Sequence, residues 1–348
     1  LSTDIEPSSY KEALTGKYAA LHARAMVTEI ANHVNNESWT IEMKPDGIKP
    51  ILGRWIFKYK FCNGKFDKCK ARWCVKGYSQ TLGHDYTDSF APTPRWETIM
   101  LLLQCAIQYD LPHNVADIAA AYLNAPVDEV IYVEQPHGYE VPAEGHTTPK
   151  GAYCRLGKSV YGLHQSGRNW HAHYSGTVIN YGLRRSEYDP CLFVSDAPIG
   201  HPDFIATAAH VDDSLTIGTA EAIEKFYQYI ASVYKVERLQ GDAFLGMRIT
   251  RTADFIKLDQ AVYVDKLLRV AGLGDCNPVS TPMDANVKLK PGTVDTIVEE
   301  NVRPAIGGLR YLYTRPDISF SVGVVSRFQN GPTDEVTTAI KRIHRYLS

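Results

Sequence analysis

The chain has 348 residues, 44% hydrophobic and 22% charged, with a formal net charge of −2. That composition is globular and sufficient for two or three domains with cores of their own, and the near-neutral total does not by itself advertise a nucleic-acid binder. Low-complexity tracts, heptads and short repeats are absent, the apolar run at 99–107 is too short to span a bilayer, and no basic n-region leads into an apolar segment, so a soluble, intracellular chain with no membrane partner is expected.

In chain order, residues 10–36 are Ala-rich with apolar positions at helical spacing, which predicts one helix. Residues 55–61 and 68–75 read as two strands, with Asn63-Gly64 as the hairpin turn between them. The charge is concentrated here. Between Lys44 and Lys76 stand ten basic residues (Lys44, Lys49, Arg54, Lys58, Lys60, Lys65, Lys68, Lys70, Arg72 and Lys76) against Asp46 and Asp67, a local net charge of +8. Aromatic residues interleave with them: Trp55, Phe57, Tyr59, Phe61, Phe66 and Trp73. Alternation of this kind suits a strand with one buried and one phosphate-facing side, and it also suits a plain solvated hairpin. Pro92 and Pro94 break the chain before an apolar helix at 97–109.

A short strand at 115–118 runs into the helix-prone Ala119-Ala120-Ala121, and another strand covers 130–135. Residues 157–181 read mostly as helix, 192–194, 204–210 and 214–217 as strands, 221–232 as helix, and 244–250 with 255–258 as a further hairpin. Helices at 261–271, 303–313, 318–329 and 334–347 follow, with Pro278, Pro282, Pro291 and Gly292 marking a loop among them. The order predicts an α+β domain with a mainly antiparallel sheet, then a helical region. Seven irregularly spaced cysteines argue against a disulfide framework, and Cys62, Cys69 and Cys74 match no zinc spacing. His171 and His173 have no cysteine pair beside them and read as helix-surface residues.

The acidic pair Asp212-Asp213 falls at the tip between two apolar strands. One reading is a polar turn. The other is a rigid pair of hard oxygen ligands of the kind Mg²⁺ takes alongside substrate phosphates. Asp117 ends the strand at 115–118; it is either the N-cap of the Ala run or a further ligand beside the pair.

Several short blocks then stand out along the chain. They are Lys70-Ala71-Arg72 with Val75-Lys76-Gly77-Tyr78-Ser79-Gln80, Gly83-His84-Asp85-Tyr86 with Phe90-Ala91-Pro92, and Asp117-Ile118 with Ala121-Tyr122-Leu123-Asn124. Next come Ile131-Tyr132-Val133-Glu134-Gln135-Pro136-His137-Gly138, Val160-Tyr161-Gly162-Leu163 with Gln165 and Arg168, His210-Val211-Asp212-Asp213, Phe244-Leu245-Gly246, Thr314-Arg315-Pro316-Asp317-Ile318, and the closing Lys341-Arg342-Ile343-His344-Arg345-Tyr346-Leu347. In this order over nearly the whole chain, the blocks resemble one family, the reverse transcriptases of copia-type (Pseudoviridae) LTR retrotransposons; each block is weakly specific, and their common order is highly specific.

The resemblance implies a right-hand polymerase: an N-terminal helical lead-in (1–36), fingers (37–110), the first part of a ferredoxin-like palm (111–150), a fingers/palm helix (151–185), the second part of the palm with a primer-grip hairpin (186–258), and a helical thumb/connection (259–348). It implies RNA- and DNA-directed DNA synthesis, with dNTPs added to a primer 3′-OH by two-metal phosphoryl transfer. Asp117 and Asp212 would hold two Mg²⁺ ions, or Mn²⁺, with the Ile118 carbonyl as a backbone ligand and Asp213 as a supporting acid. Lys70 and Arg72 would meet the triphosphate of the dNTP, with Ala120 and Ala121 lining its pocket and Tyr122 crowding a ribose 2′-OH; Tyr122 also reads as a half-buried core aromatic. Tyr161, Gly162, Gln165, His210, Phe244, Leu245 and Gly246 would line template and primer.

The implied partners are an RNA template, a DNA or RNA primer, dNTPs and the integrase and RNase H segments of a Pol polyprotein. The implied location is the cytoplasm, within a virus-like particle, or the nucleus. Leu at position 1 fits excision from a longer precursor, and a chain stopping at Ser348 is expected to lack RNase H activity. His210 in place of Tyr, Ala125 in place of Gly, His164 in place of Lys and Trp73-Cys74 in place of Leu-Val depart from the family pattern, and His210 in particular predicts reduced or altered activity. The competing readings are a non-catalytic remnant that at most binds nucleic acid, and another palm-bearing enzyme such as a nucleotidyl cyclase.

Overall fold

The structure, a computed structural model, describes residues 6–62, 65–239 and 243–348; the expected Asn63-Gly64 turn lies outside them. The chain forms two compact units, Leu1–Leu239 and Gln240–Ser348.

In the first unit, α1 (Tyr10–Thr15) and α2 (Ala19–Asn35) precede β1 (Trp39–Met43) and the long ribbon of β2 (Gly53–Cys62) and β3 (Lys65–Val75). Then come α3 (Trp96–Gln108), β4 (His113–Ile118), the one-turn α4 (Ala121–Asn124), β5 (Tyr132–Val133), β6 (Ala152–Leu156) and α5 (Ser166–Asn180). The unit continues with β7 (Arg184–Arg185), β8 (Leu192–Val194), β9 (Ile205–His210), β10 (Asp213–Gly218), α6 (Ala220–Val233) and β11 (Val236–Arg238). A six-stranded antiparallel sheet runs β11-β4-β10-β9-β8-β7, and a smaller one runs β1-β6-β5. The expected α+β class with antiparallel sheets is borne out.

Strand alternation decides which face carries what. On one face of the large sheet, Ala116, Ile118, Ile205 and Ala209 pack with Trp170, Tyr174 and Val178 of α5 and Ile223, Phe226, Tyr227 and Ile230 of α6. Each large apolar side chain buried there contributes about 1.5–3 kcal/mol. Asp117 and Asp213 alternate with those core positions and emerge on the opposite face. The two-stranded ribbon is supported separately. Trp55, Phe57, Ala71 and Trp73 bury their side chains against Ala13 and Met26 of the N-terminal helices, which leaves Arg54, Lys58, Lys60, Lys68 and Lys70 exposed.

The second unit holds β12 (Ala243–Phe244), β13 (Met247–Arg251) and β14 (Ile256–Asp259) as one antiparallel sheet, with α7 (Ala261–Val270), α8 (Arg303–Arg310), α9 (Ser319–Ser326) and α10 (Asp334–Leu347). Its core joins Ile306, Leu309, Val322, Val325, Val336, Ile340 and Ile343. No helix among the described residues is long and apolar enough to cross a membrane.

Several expected elements differ. The helix at 10–36 is two helices, because the backbone at Gly16 turns extended (φ −81°, ψ 176°) and ends α1. The helix at 157–181 begins only at Ser166, since the Tyr161 carbonyl is turned outward to accept from Val75 N at 2.8 Å. The strand at 130–135 shortens to β5, and the strands β1, β6 and β11 were not anticipated.

Candidate active site

The site is built on a two-residue turn. β9 ends at His210 and β10 begins at Asp213, leaving Val211 and Asp212 between them. Val211 has φ +55°, while Asp212 is not among the positive-φ residues. That is the pattern of a type II′ hairpin turn, whose first central position ordinarily takes Gly. A β-branched residue there is strained by ~1–3 kcal/mol. The strain is held from outside: the Trp170 indole N–H donates to the Val211 carbonyl at 2.6 Å.

Register then brings the acids together. Asp213 stands opposite His210 on β9 and opposite Asp117 on β4, and Asp117 stands opposite Glu237 on β11. Three carboxylates therefore form a row across adjacent strands, with Asp212 at its head; the Ile118 N–H bonds to the Asp212 carbonyl at 2.8 Å. Mutual repulsion shows in the titration of Asp213 and Asp117. Burial, then Asp212 and Asp117, push the Asp213 carboxyl up to about 6. Burial and Asp212 also raise Asp117, with Glu237 adding to the shift and Lys70 and Arg72 opposing it. The helix-cap reading of Asp117 is excluded, because α4 begins at Ala121 behind Ala120, at φ +53°, with no side-chain cap.

The basic ribbon answers this acidic row. Partial desolvation, then Arg72 and Lys60, hold the Lys70 amine below its usual value, and the charges of Lys70 and Arg72 both act on Asp117. The Arg72 guanidinium lies over the Tyr161 ring at 4.6 Å, and Tyr161 meets Tyr122 edge-on at 5.5 Å. The Arg72 Nε is buried without a hydrogen-bond partner among the described residues. Burial, then Asp212, raise the Tyr122 phenol, which places that ring beside the acidic turn. Ala121 is buried next to it.

Two glycines seat the ribbon against this region. Gly162 has φ +99°, and a Cβ there would collide with the Val75 carbonyl; a Cβ on Gly77 would collide with the Gly162 carbonyl. The blocks around Lys76-Gly77 and Tyr161-Gly162 are thus interlocked backbones. Gln165, expected to face a template, is instead 1% exposed, accepts from Gln80 at 3.0 Å and donates to the Asp85 carbonyl at 2.8 Å. It ties the 80–86 loop to the start of α5.

Phe244, Leu245 and Gly246 lie in the second unit. Phe244 is fully buried, and Leu245 (φ +49°) and Gly246 (φ +72°) make the turn between β12 and β13. The Tyr311 hydroxyl donates to the Leu245 carbonyl at 2.7 Å.

Sequence reasoning missed Trp170 and Glu237. Trp170 reads as one more core aromatic on a helix, and Glu237 as an exposed acid in a strand of only three residues.

Among the described residues, no group of three His, Cys, Asp or Glu side chains converges as a ready-made metal cage. Mg²⁺ does not require one, since it is commonly bound through one or two carboxylates together with substrate phosphates. Repelling carboxylates of hard oxygen character fit such an ion. A row of acids across the ends of adjacent strands, met by cationic side chains from a separate ribbon, defines a centre that draws cations to one side and anions to the other.

The chain belongs to the reverse transcriptase (RNA-dependent DNA polymerase) family, whose model matches residues 36–285. It is 32% identical over its whole length to the retrovirus-related Pol polyprotein from transposon TNT 1-94 of Nicotiana tabacum, of which it covers 27%. It is 31% identical over its whole length to the Pol polyprotein from transposon RE1 of Arabidopsis thaliana, of which it covers 23%. The chain thus spans about a quarter of the length of these curated relatives. The copia-type resemblance is borne out: the chain carries a reverse-transcriptase domain similar to those of plant transposon Pol polyproteins. A solved foamy viral protease–reverse transcriptase in complex with double-stranded DNA is similar at a TM-score of 0.46 and 12% identity, over 93% of this chain and 47% of that one.

Proposed function

We propose that the chain is a DNA polymerase core that copies RNA and DNA templates by adding dNTPs to a primer 3′-OH. The observation that carries this reading is the charge arrangement at one place: Asp117, Asp212 and Asp213 at the ends of two adjacent strands of the large sheet, with Lys70 and Arg72 of the ribbon acting on Asp117. In right-hand terms, the ribbon belongs to the fingers, the six-stranded sheet to the palm, and the helices of the second unit to the thumb and connection.

Asp117 and Asp212 are the residues that would hold two divalent cations, Mg²⁺ or Mn²⁺, with the Ile118 carbonyl and Asp213 in support. Such ions, when bound, stabilise the attacking and leaving oxygens of an in-line phosphoryl displacement. The chain's own groups do the rest. Arg72, oriented by the Tyr161 ring, presents forked donors to a triphosphate, and Lys70 adds a point charge. Tyr122 narrows the pocket where a ribose 2′-OH would sit, favouring deoxynucleotides, and Ala120 and Ala121 line its floor. His210, opposite Asp213, stands where a primer terminus would arrive. Positioning and charge neutralisation account for most of such a reaction. The partners that follow are an RNA template, a DNA or RNA primer, dNTPs and the other Pol segments.

The test is primer extension on poly(rA)/oligo(dT) with Mg²⁺. Wild-type chain is expected to incorporate dTMP and Asp212→Asn is not; equal incorporation by both would refute the metal centre. His210 in the family's Tyr position favours one second reading, a non-catalytic chain that only binds nucleic acid. An RNA mobility shift without incorporation would decide for it.

A further inference from the structure

We propose that Trp170 is a positioning residue for the acidic turn, selecting the turn form that aims Asp212; its kinetic consequence rests on the polymerase reading above, its geometry does not. The Val211 carbonyl belongs to the peptide plane that also contains the Asp212 nitrogen, so fixing that oxygen fixes the direction in which Asp212 leaves the chain. Type I′ and II′ turns share a positive φ at the first central residue and differ by a flip of this one plane. In the structure the plane is held in the II′ sense, with Asp212 outside the positive-φ set, and the Val211 carbonyl receives the indole N–H at 2.6 Å.

The donor is itself immobile. Trp170 is 2% exposed, with its ring centroid 5.2 Å from that of Tyr234 and 5.5 Å from that of Tyr174. The Tyr234 hydroxyl is in turn hydrogen-bonded to Thr177 Oγ1, on the same helix as Trp170, at 2.7 Å. Glycine prefers the II′ form at the first central position without help; valine does not. The strained valine and the rigid donor therefore form one device, which keeps the Asp212 carboxylate on a fixed heading while leaving its side chain free to act.

Trp170→Phe keeps an aromatic side chain, though a smaller one, and removes the N–H. It is expected to lower kcat for dTMP incorporation by about tenfold or more while the dNTP KM changes by less than about twofold. In a Val211→Gly background the same substitution is expected to lose about threefold or less, because glycine holds the turn unaided. Equal losses in the two backgrounds would mark Trp170 as packing only and overturn the proposal. Should Trp170→Phe fold poorly, 3-benzothienylalanine at position 170 exchanges the N–H for sulfur at nearly equal shape and must reproduce the kcat loss. An independent arm uses uniformly 15N-labelled wild-type and Trp170→Phe protein. Slow exchange of the Trp170 indole proton, with faster exchange of the Asp212 and Asp213 amides in the variant, supports the clamp; an indole proton exchanging as fast as an exposed one overturns it. If the wild-type chain incorporates no nucleotide, the polymerase reading fails and this exchange measurement alone decides the clamp.

Discussion

The turn at Val211-Asp212 and the turn at Leu245-Gly246 sit in different units and share a plan. Each joins two antiparallel strands through two residues, begins with an aliphatic residue at positive φ, and has that residue's carbonyl held by an aromatic side-chain donor: Trp170 Nε1 at 2.6 Å, Tyr311 Oη at 2.7 Å. They differ at the second position. Gly246, at φ +72°, satisfies the turn's geometric demand and carries no chemistry. Asp212 puts a carboxylate at that position, and the demand falls on a β-branched valine. The acidic turn thus gives up conformational ease to place a carboxylate at its tip, and depends more heavily on its aromatic partner.

The comparison is broken most severely at that second position. Asp212→Asn is expected to reduce primer extension by about a thousandfold or more at an almost unchanged melting temperature, because it removes a charge and little else. Gly246→Ala should do the reverse. An alanine at φ +72° is strained, and its Cβ would stand 3.3 Å from the Tyr311 hydroxyl, so a stability loss of ~1–3 kcal/mol is expected in urea denaturation. A large activity loss without destabilisation in Gly246→Ala would give both turns the same kind of role.

Titration sharpens the contrast next. The folded-state pKa of Asp213, about 6, lies above the ordinary 3.8, so the folded chain holds this proton more tightly than the unfolded chain. Stability from this group is therefore greatest below about pH 4 and is lost as pH rises through about 6. In EDTA, Asp213→Asn should raise Tm by about 2–6 °C at pH 7, discounted for partial solvent exposure, and leave it unchanged at pH 3.5. A rise of equal size at both pH values would remove charge repulsion as the cause.

Much of this was legible from residue patterns. Strong alternation and Gly-containing turns marked the basic ribbon, and two apolar runs bracketed the acidic tip at 212–213. What could not be read depended on partners distant in sequence. Val236-Glu237-Arg238 becomes a strand only by adding to β4, about 120 residues earlier. Gly16 ends a helix whose apolar periodicity continues beyond it, so a single helix was expected there. Trp170 gave no sign of its hydrogen bond because its acceptor is a backbone carbonyl 41 residues away. Gln165 stands in a motif that resembled a template contact, yet its amide is consumed by Gln80 and Asp85.

The smallest expected effect tests whether the two aromatic donors are equivalent. Tyr311→Phe removes only the hydroxyl that reaches the Leu245 carbonyl, leaving the ring packed against Tyr263 and Tyr313. The net worth of such a bond is ~0.5–1.5 kcal/mol, so a Tm decrease of a few degrees is expected. Leu245 is not β-branched and Gly246 already accepts positive φ, so the turn should keep its form when the bond is lost, and kcat should stay within about twofold of wild type. Trp170→Phe, lacking both advantages, should cost far more activity for a bond of similar length. If the two variants lost activity equally, the valine would not be what makes the acidic turn depend on its tryptophan, and the aromatic donors would act alike in both units.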